Sequence, residues 1–70
     1  MSAQEKLLNE IERVTKIRAQ YEQMDGMPQL NVRPAIAMMT ISIDSAKAAA
    51  ASNDALTVIQ ALKDLEGYSE

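Results

Sequence analysis

Apolar side chains recur early in the chain at Leu7, Leu8, Ile11, Val14, Ile17, Tyr21 and Met24. Steps of three and four place them on one stripe of an α-helix. Lys6, Glu10, Glu12, Arg13, Lys16, Arg18 and Glu22 fill the other faces. Opposite charges four apart, at Lys6/Glu10, Glu12/Lys16 and Arg18/Glu22, each support such a helix by roughly a few tenths of a kcal/mol. Ser2 followed by Glu5 is a capping box, in which the serine hydroxyl accepts from the Glu5 amide and the glutamate reaches back. Gly26 is placed to end the helix with a positive φ. The predicted first helix spans residues 3–24.

A second pattern follows the stretch "DGMPQLNVRP", which holds both prolines of the chain. Proline is favoured in a first helical turn, where its missing N–H is no loss, so Pro34 reads as an opening residue. Val32, Ile36, Met39, Ile43, Ala46 and Ala50 then alternate in steps of four and three, the a/d spacing of a helical seam. A second apolar set, Ala37, Met38, Ile41 and Ala48, lies on a different side, and the only charges are Arg33, Asp44 and Lys47. A helix apolar on two sides is buried on two sides. The predicted second helix spans 34–51, with 25–33 as a loop.

Ser52, Asn53 and Asp54 are all good N-caps and interrupt an alanine run, as either a turn or a kink. Leu56, Ile59, Leu62 and Leu65, flanked by Ala55, Val58 and Ala61, predict a third helix over 54–66 that Gly67 closes. The expected fold is therefore all-α: an antiparallel helical hairpin with a shorter third helix packed against it, in one domain over residues 1–70.

Composition turns this fold towards self-association. A 70-residue chain hides only about 60% of the surface its unfolded form exposes, so a monomer core is thin. No cysteine is present to staple it, and with two aromatics, Tyr21 and Tyr68, the core must be aliphatic. A helical-bundle homo-oligomer is expected, with Ala37, Met38, Ile41 and Ala48 as its interface.

The absence of His and Cys removes the usual zinc sites, the Ser-His-Asp and Cys-His systems, and the commonest general base near neutral pH. Gly26 and Gly67 stand alone, so no glycine-rich phosphate loop is present, and Asp25-Gly26 lacks the acidic ladder of a calcium loop. A carboxylate pair drawn from Glu10, Glu22 and Asp44 matches solvated helix faces rather than a catalytic centre. No enzyme, metal or cofactor is expected.

The net charge of −3 argues against general binding to nucleic-acid backbones. No apolar run approaches the roughly 20 residues a membrane span needs, and the opening "MSAQEKLLNE" lacks the layout of a signal peptide. Absence of cysteine fits a reducing compartment, so a cytoplasmic location is expected.

Binding remains. The 25–34 connection reads either as a cap, with Met27, Leu30 and Val32 folded over the open end of the hairpin, or as a contact surface carrying Met27, Leu30 and Arg33. Arg33 sits at a helix start, where positive charge opposes the helix dipole. Arg13, Lys16 and Arg33, with Tyr21 stacking beside them, are candidate contacts for a phosphate-bearing ligand. The competing reading has Glu10, Glu12 and Glu22 neutralising Arg13, Lys16 and Arg18, with Tyr21 as a core residue.

From "YEQMDGMPQLNVRPAIAMM" through "AKAAAASNDALTVIQALKDLEGY" the chain resembles small helical accessory proteins of tailed phages and prophages. In these a charged helix, a proline-bearing loop and an Ala-rich helix ending in a Ser-Asn/Gly-Asp break recur. The resemblance implies a stoichiometric role in the host cytoplasm: binding and inhibiting a host factor, in the manner of an anti-defence protein. Two alternatives stand beside it, an oligomer that sequesters a signalling nucleotide and a hairpin that binds paired RNA loops. The basic face that RNA recognition needs is thin here.

Overall fold

The computed structural model describes residues 2–26 and 31–68. Met27 and Leu30, in the middle of the loop assigned above to capping or contact, lie outside the described residues. Three helices follow in order: α1 over Ala3–Met24, α2 over Arg33–Ser52 and α3 over Ala55–Glu66. The described residues hold no strand.

Each helix starts where its local chemistry directs. The Ser2 hydroxyl accepts from the Glu5 amide at 3.1 Å, which satisfies one orphan donor of α1. Gly26, just past the end of α1, takes a φ of +99° that a side chain would strain. α2 begins one residue before Pro34, with no side-chain cap. The break after the alanine run is a true turn. Asn53 is left-handed at φ 58°, and the Asp54 carboxylate accepts from the Leu56 amide at 3.2 Å to open α3.

Long-range contacts set the topology. Gln4 near the start of α1 donates to the Ala50 carbonyl and to the Asn53 side chain near the end of α2. Farther along, Arg18 donates to the Thr40 hydroxyl. α1 and α2 are therefore antiparallel. α3 runs back beside both, its final residues reaching Arg13 of α1 and Ser42 of α2. At 1.5 Å per residue it is about 18 Å long against about 33 Å for α1, so it covers only part of the hairpin. The molecule is elongated, 43 × 18 × 16 Å.

The core is the shared seam of the three helices. α1 contributes Leu7, Ile11, Val14 and Ile17, α2 contributes Met39, Ile43, Ala46 and Ala49, and α3 contributes Val58, Leu62 and Leu65. Tyr21, Ala35, Ala50, Ala61 and Tyr68 pack against it, half-buried. Three side chains expected in the core are outside it: Leu8 is 57% exposed, Leu56 64% and Ile59 43%. One residue step turns a helix by about 100°, so Leu8 is swung away from Leu7 and Ile59 from Val58. The groove between α1 and α2 accepts one narrow arc of α3. Val58, Leu62 and Leu65 fill that arc, which displaces the Leu56/Ile59 line.

Candidate functional site

The cationic side chains suggested as ligand contacts are each committed locally. Arg13 pairs with Glu10 through Nε, while its two terminal nitrogens donate to the Tyr68 carbonyl at 2.8 Å and the Leu65 carbonyl at 2.9 Å. The Leu65 carbonyl also accepts from the Tyr68 amide at 3.1 Å, so Arg13 adds a further donor at the end of α3, a C-terminal cap delivered from another helix. Lys16 pairs with Glu12 at 3.4 Å on the solvent face. Arg18 pairs with Glu22 at 3.4 Å. Tyr21 is half-buried against the core rather than presented for stacking.

Arg33, with a side chain 80% exposed, has its counter-ion in Asp25 at 3.4 Å across the loop. The positive charge at the start of α2 thus has a structural partner, contrary to the reading of its position as purely unfavourable. A pair this exposed contributes little, about 0–1 kcal/mol. Arg13 lies eleven residues from the end of α1, about 16 Å along the axis, and is tied to α3. Arg13, Lys16, Tyr21 and Arg33 do not converge on one cleft.

The carboxylates that a catalytic pair would need are equally engaged, Glu10 with Arg13 and Glu22 with Arg18. Asp44 is exposed on α2. Among the described residues no three acidic side chains come together as a metal site, and no buried residue is polar or charged. Of the described carboxylates, Asp54 is held below its ordinary pKa of 3.8, first by the Thr57 hydroxyl at 2.8 Å and then by the Leu56 amide. That is capping chemistry. No described helix is long and apolar enough to cross a membrane.

A cleft with a volume of 270 Å³ lies between the start of α1 and the α2–α3 turn. Ser2, Ala3, Gln4, Asn53, Ala55 and Val58 line it, with no charged side chain among them. Two helix N-termini open onto it, each already satisfied by its own cap, Ser2 or Asp54.

The surface is more informative than the clefts. Ala37, Met38, Ile41 and Ala48 are all exposed on the outer side of α2, Met38 at 61% and Ile41 at 67%. Leu8, Leu56 and Ile59 add apolar area on the other two helices, and the sequence pattern had placed them inside. Each departs by about 100° or more from the line of its buried neighbours, but docking decides which line faces inward. No local signal marks the cap formed by Arg13. Nor does one mark the bond between the Tyr68 and Ser42 hydroxyls at 2.9 Å, which docks Tyr68 on α2. Compared with known proteins, the chain matches no family model, no curated protein and no solved structure.

Proposed function

We propose that this chain is a non-catalytic interaction protein that works as a homo-oligomer and inhibits a macromolecular partner by occupying its surface. The observation that carries the reading is the exposure of large apolar side chains on all three helices, while Arg13, Lys16, Arg18 and Arg33 are each paired with a carboxylate. Isolated exposed apolar residues are ordinary, but large ones on every helix of a chain this small favour contact with other macromolecules. In the setting implied by the resemblance to phage accessory proteins, the partner is a host protein in the cytoplasm.

The test is capture from bacterial host lysate by the native chain and by two variants, Leu56→Glu/Ile59→Glu and Arg33→Ala. A protein retained by the native chain at fixed stoichiometry, and lost from a folded variant, supports the reading. A parallel thermal-shift series with mono- and cyclic nucleotides addresses the ligand-sequestering alternative. A ligand at a hundred times its dissociation constant adds about 2.7 kcal/mol of stability. Stabilisation of that order, with no protein captured, overturns inhibition by surface contact.

A further inference from the structure

Steps of 100° per residue place Pro34, Ala37, Ile41, Ser45, Ala48 and Ser52 within about 40° of one line along the outer side of α2. All six are exposed, and none is charged. Met38 borders this stripe. Its bulk is distributed unevenly: Met38 and Ile41 stand in the first half, Ala48 and Ser52 in the second. The charges of the helix sit off the stripe, Asp44 and Lys47 on the same flank, and both are exposed. Among the described residues neither has a salt-bridge partner within the protomer.

We infer that this face is covered by a second copy of the chain, with the two α2 helices crossing antiparallel about a two-fold axis near Ser45. The inference rests on the self-association proposed above and specifies where it occurs. A two-fold contact is isologous, so one patch must complement itself, and this one does. Ile41 lies against the partner's Ala48, and Met38 lies against the partner's Ser52, large against small, twice. In antiparallel pairing the same flanks of the two helices meet, so Asp44 faces the partner's Lys47 and Lys47 faces the partner's Asp44. A parallel pairing in the same register sets large against large and leaves those charges unmatched. Ser45 at the crossing point lets the backbones approach closely. The outer faces of α1 and α3, with Leu8, Leu56 and Ile59, stay free for another partner.

Sedimentation equilibrium over a concentration series, with circular dichroism to confirm folding, tests this. The native chain should rise from its 7.7 kDa mass towards twice that value. Ile41→Glu should abolish the rise and leave the helical content intact, because Ile41 is 67% exposed. Asp44→Lys and Lys47→Asp should each weaken association by about tenfold or more, since like charges then face one another, and the double swap should restore it. A native chain that stays monomeric throughout overturns both this inference and the self-association beneath it. An oligomer that survives Ile41→Glu keeps self-association and overturns the α2 contact. Dimers lost with Ile41→Glu but indifferent to both charge swaps overturn the antiparallel register.

Discussion

Arg13 in the middle of α1 donates to the Leu65 carbonyl at the end of α3, 2.9 Å away and 52 residues later in the chain. The same guanidinium reaches the Tyr68 carbonyl and is itself steadied by Glu10. One side chain therefore ties the end of the shortest helix, whose Leu65 carbonyl also accepts from the Tyr68 amide at 3.1 Å, to the middle of α1. The position of α3 decides where Leu56 and Ile59, the residues proposed above as a contact surface, are presented.

Replacement of Arg13 by Ala should lower stability by about 1–3 kcal/mol, the range for hydrogen bonds from a charged donor reduced by partial exposure. Arg13→Lys should recover less than half of that loss, because a single ammonium cannot reproduce the planar fork towards three oxygens. Urea unfolding measures both. A lysine variant as stable as the native chain would show that charge alone, without the fork, holds α3.

The placement of the core separates side chains that the sequence presents as equivalent. Ile43 is fully buried, and Ile43→Ala should cost about 2–5 kcal/mol through lost burial and the cavity left behind. Ile59→Ala and Leu8→Ala remove similar bulk from exposed positions and should stay within about 0.5 kcal/mol of native. Denaturation midpoints at unchanged slope decide the matter. A loss at Leu8 comparable to that at Ile43 contradicts the arrangement.

Asp54 links stability to acid pH. Its carboxylate accepts from Thr57 and from the Leu56 amide, so the charged form is favoured in the folded state and the pKa falls below 3.8. A group with a depressed folded pKa stabilises the fold above its unfolded pKa and loses that effect as pH drops through the folded value. The melting temperature should therefore decline as pH falls below 3.8, on top of any contribution from other carboxylates. Asp54→Asn keeps a capping oxygen and should flatten that part of the profile while staying close to native at neutral pH. An Asn variant with the full acid dependence excludes Asp54 as the titrating group.

The turn between α2 and α3 tests backbone conformation rather than contact. Asn53 holds φ 58°, a region that asparagine and glycine tolerate and β-branched residues do not. Asn53→Val should cost about 1–2 kcal/mol, whereas Asn53→Gly should be nearly neutral, losing only the exposed bond from Gln4. Equal losses in the two variants would assign the effect to the Gln4 bond instead of the backbone.

Much of the architecture was legible because its causes are local. The α1 stripe, its Ser2 cap and the positive φ after it all arise within a few residues of one another, and so does the break at 52–54. The exposed Met38 and Ile41 were legible for a related reason: a helix with more apolar area than one seam can use must leave some outside.

The sequence by itself determined three helices, an aliphatic core and a second apolar side on α2. Helical periodicity, caps and turn residues act over one or two turns, and they leave little choice. Only the tertiary structure decided which arc of α3 faces inward. Val58, Leu62 and Leu65 fill the groove that α1 and α2 create together, while Leu56 and Ile59, apolar to the same degree, have no room in it. It likewise decided that Arg13 serves the end of α3 and that Arg33 meets Asp25. The first of these partners is 52 residues away and is chosen by the docking of α3, and the second by how the end of α1 meets the start of α2.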